Sequence, residues 1–161
     1  MTNDSDGANG PHPAEPRPGE TERERLVRLA NVLFQAARNG DAGLLAEATA
    51  GGAPADLANQ NGDTLLMLSA YHGHVDAVRT LLAAGATVDQ LNDRGQTPLA
   101  GATFKGYAEV IDVLLEHGAD PQAGSPPAVT VALMFSKDDL LARFDAAVRS
   151  ARPPGPSDEP L

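Results

Sequence analysis

Residues 92–121 read NDRGQTPLAGATFKGYAEVIDVLLEHGADP, and residues 59–88 read NQNGDTLLMLSAYHGHVDAVRTLLAAGATV. Laid over each other at an offset of 33 residues, Gly62 meets Gly95, Thr64 meets Thr97 and Leu66 meets Leu99. Gly73 meets Gly106, Leu81-Leu82 meets Leu114-Leu115, and Gly85-Ala86 meets Gly118-Ala119. A fixed period of this size marks a chain of stacked units, each unable to bury its apolar face alone.

The shared pattern, G-x-T-P-L, a turn glycine, then V-x-x-L-L-x-x-G-A-D, resembles the ankyrin repeat. Stretches such as NDRGQTPLAGA and FKGYAEVIDVLLEHGADP are similar to small bacterial ankyrin-repeat proteins of few units. The resemblance covers residues 30–124 well and extends, degraded, to 149. It implies an all-α solenoid of about four helix-turn-helix units with short protruding hairpin loops. The units fall at 22–58, 59–91, 92–124 and 125–150, the last as a cap. The family's Thr-Pro-Leu-His places a histidine that ties a helix start to the neighbouring loop; here those positions hold Met67 and Ala100.

Outward from the two clear repeats, Thr21 with Glu24 has the form of a capping box before apolar residues at helical spacing, which predicts a helix over 22–38. Asn39-Gly40 ends it and Asp41 caps a second helix over 42–50. In repeat two the spacing predicts helices from Asp63-Thr64 to His72 and over 75–84, and in repeat three over 97–105, with Pro98 at its first turn, and 108–117. Carrying the period of 33 onward, Thr130 takes the threonine position and Asp139 the turn-glycine position. Helices over 127–136 and 139–149 follow, the second with Asp138 as its N-cap. Residues 1–20 and 151–161 are rich in Pro, Gly and Asp without apolar periodicity, and are expected to be disordered tails.

Composition narrows the chemistry. The chain of 161 residues has no cysteine, which excludes disulfides and thiolate sites, and a formal charge of −10. Within 26–150 there are 14 acidic and 8 basic side chains, a net of −6, and no Lys/Arg-rich run, so a nucleic-acid surface is not expected. The first twenty residues lack the basic and then apolar pattern of a signal peptide, and no apolar run reaches spanning length. A cytoplasmic monomer without membrane contact is the expectation.

No catalytic spacing is found. His72, His74 and His117 lie at helix ends or beside the turn glycine, where hydrogen bonding and helix dipoles account for them. There is no H-x-x-H or Ca²⁺-loop spacing, no G-x-S-x-G around Ser69, Ser125, Ser136 or Ser150, and no phosphate-binding glycine loop. Asp138-Asp139 sits at a helix start, where acid is favoured. The expectation is a non-enzyme without cofactor or metal.

The resemblance implies that a partner protein is met by the hairpin tips and the exposed side of each first helix. Carried onto this chain, those positions are Gln60, Asn61 and Asp63 with Tyr71 and His72, then Asp93, Arg94 and Gln96 with Phe104 and Lys105. Tyr71 and Phe104 share a register and are expected to stack on one face. Arg38 and Asn39 extend this face in unit one, Ser136 and Lys137 in unit four. Such a surface fits a protein-binding adaptor; the alternative is a regulatory inhibitor or stabiliser of an enzyme encoded nearby.

Overall fold

Hydroxyl and carboxylate caps open four of the eight helices among the described residues. In the computed structural model, which describes residues 12–152, Thr21 opens α1 (Glu22–Asn39) with a full capping box. Asp41 accepts from Leu44 N to start α2 (Ala42–Ala50). Thr64 accepts from Met67 N to start α3 (Leu65–Tyr71), and Thr97 from Ala100 N to start α5 (Pro98–Lys105), with Pro98 in the first turn. The remaining helices are α4 (Val75–Ala83), α6 (Ala108–Glu116), α7 (Ala128–Met134) and α8 (Asp138–Ala151). The described residues thus form eight helices and no strand, with two isolated bridges, Ala58 to Thr64 and Gly124 to Pro127, in the hairpins.

The helices make two layers, α1, α3, α5 and α7 packed in succession and α2, α4, α6 and α8 behind them. Close approach in the first layer needs small side chains, and the contact register holds Ala36, Ser69, Ala102 and Ala132, all buried. Between the layers the apolar stripe is larger: Leu45, Leu81, Ile111, Leu114 and Phe144 are sealed from solvent. The all-α solenoid anticipated from the repeat is the fold observed.

The units are tied by a device at the turn between their two helices. Gly40, Gly73 and Gly106 turn the chain at φ of 77°, 77° and 80°. The N-cap residue of the next unit's second helix lies over each: a Cβ on Gly40 would come within 2.5 Å of His74, and one on Gly73 within 2.9 Å of Tyr107. His74 Nε2 donates to Arg38 O at 2.7 Å, the structural bond expected of it. Lys137 repeats the arrangement over Gly106, its Nζ donating to Thr103 O at 2.9 Å. On the opposite side Asp56 accepts from Thr87 N (2.7 Å) and Oγ1 (2.6 Å), and one unit later Asp89 accepts from Asp120 N. Burial raises the Asp89 carboxyl above its usual range.

Two expectations are corrected. In unit four the register is shortened by three residues: Pro127, not Thr130, is the N-cap of α7, and Ser136, not Asp139, is the left-handed turn residue, at φ 52°. Lys137 therefore precedes α8 as its N-cap, and Asp138 lies inside the first turn. The deletion falls in the hairpin before α7, where a loop absorbs it without disturbing helix packing.

The second concerns residues 12–20, assigned to a disordered tail. They run back along α1 as a strap held by two arginines. Arg25 donates to Ala14 O, and Arg28 donates to Pro13 O and Glu15 O while its Nε meets Glu20 Oε1 at 2.7 Å. That pairing lowers Glu20 to about 2. Residues 1–11 and 153–161 lie outside the described residues.

Candidate functional site

The concave side of the first layer carries an open groove enclosing about 590 Å³, bounded by hairpin tips on one side and the C-terminal ends of α1, α3, α5 and α7 on the other. An asparagine sets each hairpin. Asn59 Oδ1 accepts from Asn61 N and Asp63 N; 33 residues on, Asn92 Oδ1 accepts from Arg94 N and Gln96 N at 3.0 and 2.9 Å. Such side-chain-to-backbone closure fixes the turn and turns Asn61 and Arg94 outward. The hairpins are also joined: Asp93 N donates to Asn61 O, and Asn92 Nδ2 donates to Asp63 Oδ1 at 2.9 Å and to Gln96 Oε1.

Of the anticipated positions, Asn61, Asp63, Tyr71, His72, Arg94, Gln96 and Phe104 line the groove together with Arg38. Gln60, Asp93 and Lys105 are exposed on its margin and do not line it. Asp63 is buried, its carboxylate engaged by Asn92, so it frames the hairpin rather than facing solvent. His72 donates Nδ1–H to Leu68 O at 2.8 Å, leaving its ring edge at the rim.

Tyr71 and Phe104 occupy the same register but do not stack. The Tyr71 ring lies over Gly101, 3.4 Å from where a Cβ would stand, meets His72 edge-on at 5.6 Å, and carries Lys105 Nζ at 5.2 Å from its centre. Phe104 pairs instead with Phe135, at 5.5 Å and 75°. Phe135 and Met134 escape a reading that carries the period of 33 into unit four. Counted at 30, Met134 stands in register with Phe104 and Phe135 with Lys105. The same count moves Lys137 off the groove, onto Gly106 and Thr103. Hence the floor runs Arg38, Tyr71, Phe104, Met134, with Met67 beneath.

The exposed fractions show what this floor offers. Tyr71 is 39%, Phe104 51%, Phe135 49% and Met134 69% open to solvent, and these four line one groove, whereas the other exposed large apolar side chains, Leu26, Val27, Leu91, Leu133 and Val148, do not line it. Groups moved from their usual titration range, Glu20, Glu24, Arg28 and Asp89, all lie elsewhere. Among the described residues no cluster of three or more His, Asp or Glu is arranged for a metal. A larger hollow of about 940 Å³ lies between the strap and α1, but its Glu20 and Arg28 are paired with each other and Glu24 is tied to Thr21. The groove is therefore the candidate site.

A family model described as ankyrin repeats, three copies, matches residues 33–125, more than half of the chain. The chain is an ankyrin-repeat protein. Over 64 residues it is 44% identical to an ankyrin repeat protein of Pseudomonas aeruginosa, a match covering 40% of this chain and 36% of that one. Over 54 residues it is 46% identical to human ankyrin repeat domain-containing protein 29, covering 33% of this chain and 18% of the human protein. The chain thus spans well under half the length of both relatives. Ankyrin repeats mediate protein–protein interaction and are typically non-catalytic, and no helix among the described residues is long and apolar enough to cross a membrane.

Proposed function

We propose that this ankyrin-repeat protein is a non-catalytic adaptor that holds one partner protein in its concave groove, working as a cytoplasmic monomer without cofactor. One observation carries the reading: Tyr71, Phe104 and Met134, large side chains on three successive inner helices, are left open in a single row, with Phe135 beside them just past the last helix. Apolar and aromatic groups in such a row lose area to water that an intramolecular core would have claimed, and a partner that covers them gains that burial. The hairpins, locked by Asn59 and Asn92, add polar atoms at fixed positions along the row.

The double variant Tyr71→Ala, Phe104→Ala is expected to lose the protein that co-purifies with the unaltered chain, while its far-UV circular dichroism stays unchanged. Both side chains are surface-facing, so their truncation leaves the stacked core intact. Undiminished capture by the double variant would move the site off the groove. Assaying the captured protein with and without the chain separates an adaptor, which leaves its activity unaltered, from an inhibitor.

A further inference from the structure

Resting on the groove reading above, we infer that the occupant is an extended protein segment bearing two carboxylates that flank apolar side chains. The chain as a whole is acidic, with 22 Asp and Glu against 12 Lys and Arg. The charged side chains lining the groove reverse this balance: Arg38, Arg94 and Asp63. Asp63 is withdrawn from solvent and accepts from Asn92, so the negative charge is buried and bonded while the two positive charges face the groove.

Arg25, Arg28, Arg79 and Arg143 each meet a carboxylate of their own chain. Among the described residues neither Arg38 nor Arg94 has one within ion-pairing distance. Arg17, Arg23, Arg149 and Arg152 likewise have no ion pair among the described residues, and what sets Arg38 and Arg94 apart is their place on the groove. A guanidinium presents a planar fork that matches a carboxylate with two parallel hydrogen bonds, so an unpaired arginine beside an apolar floor is a ready carboxylate site. A nucleic acid fits less well, because two arginines neutralise too few phosphates and a net charge of −10 repels the rest.

Spacing gives the segment its form. Arg38 ends α1 and Arg94 sits on the third unit's hairpin across the groove, so roughly two interhelix steps of about 8–10 Å along the stack, and the width of the groove besides, separate them. An extended chain advances about 3.3 Å per residue and turns alternate side chains to the same face. The two carboxylates then lie at least about six residues apart, and apolar positions between them meet Tyr71 and Phe104.

A library of random twelve-residue peptides displayed on phage, selected on the full chain and on its variants, tests this. Enriched sequences are expected to carry two acidic residues flanking apolar ones. Synthesised, they should bind about tenfold more weakly to Arg38→Glu and to Arg94→Glu, and about tenfold more weakly when their own acids become lysine. Arg94→Glu should recover affinity for the lysine peptide. Neutral or basic sequences whose enrichment disappears in Tyr71→Ala, Phe104→Ala overturn the acidic segment and leave the groove reading standing. Enrichment indifferent to that double variant, or no enrichment, overturns both. Tighter binding of a labelled twelve-nucleotide oligothymidylate than of any selected peptide would assign the arginines to phosphate instead.

Discussion

A left-handed residue separates the two helices of every unit, and glycine fills that position three times out of four. Ser136 is the exception, at φ 52°, where a Cβ crowds the following carbonyl and costs about 1–2 kcal/mol. Replacing it by glycine is expected to stabilise the protein by about 0.5–1 kcal/mol, part of the relief being offset by the freer unfolded chain. The converse holds at Gly40, where the added methyl of Gly40→Ala would stand 2.5 Å from the His74 ring and push it from Arg38 O. That substitution is expected to cost about 1–3 kcal/mol, the scale of backbone strain held by surrounding packing. Urea midpoints of the two variants, displaced in opposite directions, check the pair. The glycine pattern made Gly40 and the bond of His74 readable in the sequence. Ser136 was not readable, because a three-residue deletion in a loop leaves no trace in the helical spacing around it. The family's histidine, absent at Met67 and Ala100, gives way to buried apolar side chains, and Met67 forms part of the groove floor.

Half of the described helices follow side-chain caps. Thr21, Asp41, Thr64 and Thr97 each accept from the backbone three residues on, and the helices they open begin within a residue or two of the sequence-based bounds. The strap over α1 is a different case: its contacts run from Arg25 and Arg28 to carbonyls 11 to 15 residues earlier, a separation that no local pattern encodes. Composition alone, rich in proline and glycine, pointed to disorder, and the long-range arginine bonds overrode it. The strap's anchor titrates. Arg28 holds Glu20 at about 2, below its ordinary 4.5, so the ionised form favours the folded state. The stabilisation is fully present above pH 4.5 and is lost as pH falls through about 2. Glu20→Gln, which keeps the shape and removes the charge, is therefore expected to lower the thermal midpoint at pH 7. The gap between variant and unaltered chain should close as pH falls from 4.5 to 2. Thermal melts of both across that range check it, and a gap independent of pH would mean the contact is not the ion pair.

At the scale of the molecule, stability passes only between neighbouring units, so position in the stack decides what a core change does. Leu114 and Phe144 fill the same register in successive units, and both are buried. Truncation to alanine removes about 2–5 kcal/mol at Leu114 and about 3–5 kcal/mol at Phe144. Equal losses should have unequal outcomes. Unit three leans on units two and four, so Leu114→Ala weakens both interfaces and the array is expected to unfold in one step at lower urea. Unit four leans on unit three alone, its helices α7 and α8 begin without side-chain caps, and Leu133, Met134 and Val148 remain exposed on it. Phe144→Ala is therefore expected to release α7 and α8 first and leave the earlier units folded. Native-state hydrogen exchange of α3 and α7 amides across a urea series distinguishes the two. In Leu114→Ala both helices should lose protection together; in Phe144→Ala the α7 amides should open at lower urea than those of α3. Simultaneous opening in Phe144→Ala would mean that the array is one cooperative body to its end. Because Met134 and Phe135 ride on unit four, the frayed variant should also lose the far end of the groove while Arg38 and Tyr71 stay in place, weakening a bound segment at its unit-four contacts without abolishing capture.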